Sequence, residues 1–321
     1  INMLRQYEET FKRGALNIKA QTKIIRDRST TALLDADRGL GHPVSVQAME
    51  MAIKKAESHD VGIVCVKNSH HFGAAGYYAE IAAREGFIGI VTTSTRGISM
   101  VPTRGTQPVL GTNPFAFAAP AGKYEPLVLD FATTVAAVNK VKVRKLRELQ
   151  LPDGWVNDGD GRTIFDPNEA IRIFESKSFG GLNPVGGIGE TLGGHKGYGL
   201  AVFSHILSGA MPGASFSPVR VKNSNADTPD DLGHYFQAIN PESFRTKEEY
   251  ENDIEVVIET LRSVKPSDPD KPVLVPGEPE QISRKDRQKN GIPVNRNLRN
   301  LIKEIAQNAG VEYFLVNNTT P

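Results

Sequence analysis

Residues Val61–Ser94 read VGIVCVKNSHHFGAAGYYAEIAAREGFIGIVTTS, and the change of texture along them decides the fold. Val61–Val66 is a short, mostly apolar and β-branched run, which predicts a buried strand. Five polar residues follow abruptly, Lys67, Asn68, Ser69, His70 and His71. Gly73 to Arg84 has helix-forming composition, and Gly86 stops it. Phe87–Val91 is a second apolar run that ends in Thr92, Thr93 and Ser94. Strand, polar turn, helix, strand is the unit of an α/β sheet, whose ligand-facing groups sit just past the carboxyl ends of strands. Asn68 to His71 occupy such a place, and so do Thr93 and Ser94.

Outward from that unit, the sequence predicts a helix over Ile1–Arg13 with Leu4, Tyr7 and Phe11 on one face. This helix begins without a cap, so a missing start of the chain is one expectation. Thr31–Asp35 is a short strand and Ala36–Gly41 a loop. Val46, Met49, Ala52, Ile53 and Ala56 mark one face of an amphipathic helix. Further on, Phe115–Ala119 and Leu127–Leu129 are strands, the second ending at Asp130. The basic run Lys140–Arg147 is a solvated helix face or an edge strand. A helix spans Tyr198 to Ser208, Asn223 to Asp231 is a polar, mobile loop, and Phe236–Ile239 is a strand. Thr246 with Glu249 forms a capping box that opens a helix to Val264. Pro276-Gly277-Glu278 is a turn, and a last helix runs from Asn295 to Ala309 with Gly310 as its stop.

The chain has 321 residues, enough for a sizeable core, with 38 Lys+Arg against 37 Asp+Glu. That balance gives no basic excess for nucleic acid or an anionic membrane. The single cysteine, Cys65, lies within the first strand and has no partner for an intrachain disulfide. With no signal-peptide pattern and no run long enough to span a bilayer, a cytoplasmic protein is expected.

Phe179 to Gly199 is glycine-dense, FGGLNPVGGIGETLGGHKGYG. Gly187-Ile188-Gly189 fails as a dinucleotide fingerprint. Asn183-Pro184 precedes it instead of a strand, Gly193 is one residue too far, and Ser208–Ala210 stand where an acid is needed. Gly39-Leu40-Gly41 fails because Val44 replaces the third glycine, and Gly194-His195-Lys196-Gly197 is not a P-loop. What remains is Lys196 among small residues at a helix start. That setting suits an anion, with an exposed lysine on a flexible loop as the alternative. His70 and His71 are adjacent, so on extended backbone only one faces a given cleft. No other His, Cys or carboxylate cluster stands at metal-ligand spacing, so no metal is expected. A histidine beside Asn and Ser at a strand end has the chemistry for acid–base work, or is simply a satisfied structural group.

Taken together, several blocks resemble the malate/L-lactate dehydrogenase family that lacks a Rossmann fold. They are Gly39-Leu40-Gly41 with Ala48-Met49, Asn68-Ser69-His70-His71-Phe72-Gly73, Gly111-Thr112-Asn113-Pro114 and Leu129-Asp130-Phe131-Ala132-Thr133. Gly193-Gly194-His195-Lys196-Gly197-Tyr198-Gly199, Asp231-Leu232-Gly233-His234 and Val275-Pro276-Gly277-Glu278 complete the set. The resemblance covers nearly the whole chain.

It implies a mixed α/β fold: an NAD(P)-binding sheet domain of non-Rossmann type over residues 46–279, and a helical domain built from both chain ends, 1–45 and 280–321. It implies an NAD(P)-dependent oxidoreductase moving hydride between nicotinamide and a small 2-hydroxy or 2-keto acid such as malate, lactate or sulfolactate. His71 then matches the proton donor/acceptor. Ser94, Asp130, Phe131, Ala132, Lys196, Pro276, Gly277 and Glu278 match the contacts to NAD or NADP, and Thr133 faces the nicotinamide and substrate. Such relatives form intertwined homodimers. One departure stands out. Relatives carry a Ser-His-Gly-x-x-Arg block whose arginine position is Met3 here and whose histidine would precede Ile1. Arg5 is no substitute on a helix, since two residues turn a side chain about 200°. The departure leaves open a non-catalytic NAD(P)-binding or oligomer-forming paralogue.

Overall fold

The computed structural model describes residues 3–222 and 228–315. Nine strands and ten α-helices are named here among them. The strands are β1 (Lys23–Asp27), β2 (Thr31–Asp35), β3 (Val61–Ser69), β4 (Ile88–Thr93), β5 (Phe115–Ala119), β6 (Leu127–Phe131), β7 (Val156–Asn157), β8 (Gly181–Leu182) and β9 (Leu232–Ile239). The helices are α1 (Leu4–Lys12), α2 (Gly41–His59), α3 (Ala75–Arg84), α4 (Val138–Leu146), α5 (Pro167–Ser176), α6 (Gly194–His205), α7 (Ser217–Lys222), α8 (Lys247–Ser263), α9 (Glu278–Asn290) and α10 (Arg296–Ala309).

Seven strands form one sheet in the order β1-β2-β3-β9-β4-β5-β6, so the fold is mixed α/β. The strand–helix–strand unit of Val61–Ser94 is present, but its two strands do not touch. β9 lies between them, antiparallel to both, pairing Val64 with Phe236 on one side and Val91 with Phe236 on the other. A strand from 140 residues further along thus splits the unit, and among the described strands of this sheet β2 and β3 alone pair in parallel.

Apolar periodicity builds the core as expected. α2 and α3 lay Ala48, Met49, Ala52, Ala56, Tyr78, Ala79 and Ala82 on the sheet against Leu34, Val64, Val66, Val91 and Phe236. Two glycines set how close these helices come. A Cβ on Gly62 of β3 would stand 1.9 Å from the carbonyl oxygen of Ala52, and one on Gly89 of β4 2.5 Å from that of Ala79. Backbone meets backbone at both places, so neither contact yields by a rotamer change. A smaller lobe holds β7, β8, α4 and α5 around Val141, Leu151, Val156, Ala170 and Leu182.

Several expectations shift. α1 lies against α10, with Arg5–Glu304 at 2.6 Å, and β1 and β2 form one end of the seven-stranded sheet. The helix expected at Tyr198–Ser208 starts four residues earlier and runs into a π-turn at Ile206–Ala210. Lys140–Arg147 is a helix face, with Lys140, Lys142 and Lys145 exposed on α4. The capping box at Thr246 and the left-handed stop at Gly310 are both present. Pro276–Glu278 is more than a turn, because Gly277, at φ 95°, is the N-cap of α9. Of the polar segment Asn223–Asp231, residues 223–227 lie outside the described residues, and Asp230 beyond them is buried. No described helix is long and apolar enough to cross a membrane.

Replacing Gly62 by Ala should therefore cost about 1–3 kcal/mol of stability through overpacking. Urea denaturation checks it: an unchanged midpoint would mean that α2 can lift from the sheet at no cost.

Candidate active site

β3 delivers the two histidines. Asn68 takes a left-handed conformation, φ 55°, and its side-chain amide donates to Asp35 Oδ1 at 2.8 Å. The β3–β9 register shifts between Val66 and Ser69, and the chain turns out of the sheet. His70 and His71 then part company, as adjacent residues must. His70 is buried, with Nδ1 3.1 Å from Asp230 Oδ2 and Nε2 3.1 Å from the Ala15 carbonyl oxygen. His71 opens into a cavity of about 490 Å3 lined by Met3, Leu4, Tyr7, His42, Gly73 and Asn139.

Inside that cavity the Tyr7 hydroxyl stands 2.6 Å from His71 Nδ1, and the His42 and His71 rings lie 6.2 Å apart. Partial burial lowers the pKa of His71, the neighbouring His42 lowers it further, and Asp230 opposes this. Partial burial also lowers the pKa of His42. Desolvation raises that of the Tyr7 phenol, which keeps its proton. The cavity therefore presents two neutral imidazoles and a phenol at neutral pH. Tyr7 and His42 were missing from the sequence-based candidates. Tyr7 sits on the apolar face of a helix, and His42 stands at the foot of one, so neither spacing nor composition marks them.

Behind the cavity lies His234, which the sequence shows only as part of a block. Its Nδ1 is 2.7 Å from Thr93 Oγ1 and its Nε2 2.9 Å from Ser69 Oγ, which ties the ends of β4, β9 and β3 together. Complete burial depresses its pKa to about 3, so the ring is neutral. It stacks on Phe72 at 4.6 Å, with 11° between the ring planes, which fixes the turn that carries His71.

The other sequence-predicted residues border β6. Asp130, at its end, accepts the Gly76 N–H at 2.8 Å and so caps the first turn of α3. Desolvation against that turn raises its pKa, opposed by the Gly76 N–H and aided by Glu280. Phe131 and Ala132 are half-buried. Thr133 is fully buried, and its hydroxyl donates to the Thr112 carbonyl at 3.0 Å. Its own carbonyl accepts the Val185 N–H at 2.8 Å, which docks the glycine-rich loop on the strand end. That loop folds tightly on itself: a Cβ on Gly194 would meet the Gly187 carbonyl at 2.1 Å, and one on Gly197 the Val185 carbonyl at 2.3 Å. Lys196 emerges exposed from the first turn of α6. On β6's other flank the Pro276 carbonyl accepts the Val128 N–H at 3.2 Å, and Glu278 pairs with Arg262 and accepts the Val275 N–H at 2.6 Å. Ser94 is buried; its hydroxyl oxygen accepts the Gly233 N–H at 2.9 Å. The chain from Asp130 to Asn139 links this strip to the His71 cavity.

A sequence profile described as Malate/L-lactate dehydrogenase matches residues 1–303. The chain belongs to that family. A malate dehydrogenase of Pyrococcus abyssi is 39% identical over 313 residues, 97% of this chain and 83% of that protein. An L-sulfolactate dehydrogenase of Methanocaldococcus jannaschii is 36% identical, over 97% of this chain and 85% of its own. The crystal structure of malate dehydrogenase from Entamoeba histolytica superposes with a TM-score of 0.90 at 34% identity, covering 96% of this chain and 84% of that one. As a member of the malate/L-lactate dehydrogenase family the chain is an oxidoreductase of 2-hydroxy acids that uses a nicotinamide cofactor. Among the described residues no group of three His, Cys, Asp or Glu is placed to hold a metal ion. The thiol of Cys65 is pushed up to about 12 by burial, which makes it a poor nucleophile.

For a malate/L-lactate dehydrogenase of this geometry, nuclear magnetic resonance titration should place the His71 ring below about 6.5, the ordinary histidine value. Replacing His42 by Ala should move it upward, since no second imidazole then takes up charge beside it as the pH falls. A His71 value at or above the ordinary one would contradict the cavity described.

Proposed function

We propose that the protein oxidises malate or sulfolactate with NAD or NADP, with His71 exchanging the hydroxyl proton. The observation that carries this reading is a neutral, half-buried His71 held by Tyr7 in a cavity joined to the β6 strip. Base action at Nε2 corresponds to the tautomer whose Nδ1–H donates to the Tyr7 oxygen. The low pKa keeps the base form available across neutral pH, and burial excludes water from the reacting bond.

The residues along β6 fit a dinucleotide. The glycine loop presents close-packed backbone and the first turn of α6, where an anionic phosphate is favoured, with Lys196 beside it. Asp130, Phe131 and Ala132 border the same strip, as do Pro276, Gly277 and Glu278, with Ser94 beneath the neighbouring strand end. The bound cofactor supplies the hydride acceptor for oxidation and donor for reduction. The protein's own contribution is alignment and one positioned base.

We also assign a homodimer, a cytoplasmic location and a two-helix unit of α1 with α10. α6 leaves Leu200 and Phe203 exposed, and Ile206 and Met211 beyond it are exposed as well. A helix of that kind needs cover, which a second copy of the chain supplies.

His71→Ala should lower kcat on the better acid by about two to four orders of magnitude and leave cofactor affinity nearly unchanged. Lys196→Ala should instead weaken NAD(P)H binding by roughly 1–3 kcal/mol, the size of a charge-assisted bond. Steady-state kinetics and nucleotide-fluorescence titration read both, and a wild-type chain inactive on malate, sulfolactate and lactate would end the reading. Analytical ultracentrifugation should give a dimer at micromolar concentration; an active monomer there would refute the assembly.

A further inference from the structure

The two imidazoles of the His71 cavity differ in what they already hold. His71 is bonded to Tyr7 through Nδ1. His42 lines the same cavity, half-buried, and neither of its ring nitrogens has a hydrogen-bond partner among the described residues. Three contacts fix where its ring stands. It meets the Tyr7 ring edge-on at 5.9 Å and the His71 ring at 6.2 Å, with 67° between the latter two planes. Its Nε2 lies over Gly73, where an added Cβ would be 3.2 Å away.

A 2-hydroxy acid carries its carboxylate one bond from the carbon that reacts. That group must therefore enter the cavity together with the hydroxyl, and a carboxylate taken out of water needs a partner. Apart from the two histidines, the lining residues are Met3, Leu4, Tyr7, Gly73 and Asn139, with no lysine or arginine among them. Of the described residues lining the cavity, His42 is thus the one side chain besides His71 that can become a cation.

We propose that His42 grips the C1 carboxylate of the 2-hydroxy acid, as an imidazolium that takes up its proton when the acid binds. This deepens the dehydrogenase reading above and rests on it. In the free chain burial keeps the His42 ring neutral. His42 is also the second residue of α2, a helix of 19 residues with no side-chain cap, and the positive end of a helix disfavours a protonated ring while favouring an anion. An arriving carboxylate reverses the balance, because an opposite charge at hydrogen-bond distance favours the charged ring. The titratable groups facing His42 leave it that role. Tyr7 on α1 keeps its proton, His71 on the β3 turn is neutral, His234 behind them on β9 is neutral, and α4 contributes the uncharged Asn139. The carboxylate charge offsets that of His42, so His71 remains free to accept the hydroxyl proton.

The test uses the full chain with saturating NAD(P) and 2-hydroxyisobutyrate, which has the hydroxyl and the carboxylate but no hydrogen on C2 and so binds without turnover. Calorimetric titration in buffers of different ionisation enthalpy, at about pH 7.5, should show at least roughly half a proton taken up per acid bound. The Kd should rise by roughly three- to tenfold per pH unit above neutrality, since the proton becomes scarcer. His42→Gln keeps an N–H donor but cannot titrate. It should bind about tenfold more weakly near pH 7, take up no proton and have a Kd independent of pH. In turnover H42Q should lose kcat/KM mainly through KM. A wild type that binds no analogue, or binds it without proton uptake, overturns the proposal. Uptake that persists in H42Q assigns the proton to another group and overturns it too. Uptake lost in H42Q, in a wild type that oxidises no acid, keeps the grip and removes the dehydrogenase reading. Should H42Q fail to fold, His42→Asn carries the same measurements.

Discussion

The site depends on one imidazole that takes no proton. His234 bonds Ser69 on one side and Thr93 on the other, and so clamps the ends of β3 and β4 across the strand that separates them. Backbone ladders alone would leave those ends free to splay where the register shifts. The ring is fully buried and neutral, and both nitrogens are satisfied, so it carries no desolvated charge. Its stacking on Phe72 carries the constraint one residue further, to the turn that aims His71.

Around this clamp, charge and neutrality are sorted by position. His70 and His71 are neighbours in sequence, yet one is locked to a buried carboxylate while the other stands in a cavity with a phenol and a second neutral ring. The register shift and the left-handed Asn68 make the division possible. Asp230 stays ionised because three donors offset its burial, and its field tempers the depression of His71. Removing one donor from such a group leaves charge uncompensated, which is why buried ion clusters constrain a site more than they stabilise a fold.

Much of this was legible in the residues. The β-branched run, the helix stop at Gly86, the capping box and the failed dinucleotide fingerprint all point to a sheet that is not a Rossmann fold. The divergence of His70 and His71 follows from backbone geometry alone. The insertion of β9 does not follow, because LGHYFQAI carries no mark of which strands it joins. α9 escaped because its thirteen residues, nearly all polar, have no apolar face to count. His42 and Tyr7 escaped for a different reason: their chemistry arises from α1, α2 and the β3 turn converging, a property of contacts and not of spacing. Thr133 shows a polar group whose bonding partner lies far from it in sequence. Its hydroxyl donates to the backbone of a neighbouring loop, a contact that spacing along the chain does not show.

The late arrival of β9 also governs how the molecule is made. Val64 and Phe236 are paired across more than a hundred and seventy residues of chain, and Val91 waits for the same strand. On the ribosome, β3 and β4 emerge long before their shared partner, with apolar edges open to any other strand. Long-range pairings of this kind slow folding, because the loop entropy is lost before the contact forms. The His71 cavity and its clamp therefore assemble only once β9 has emerged, and a chain stopped short of residue 239 would carry the histidines without the sheet that aims them.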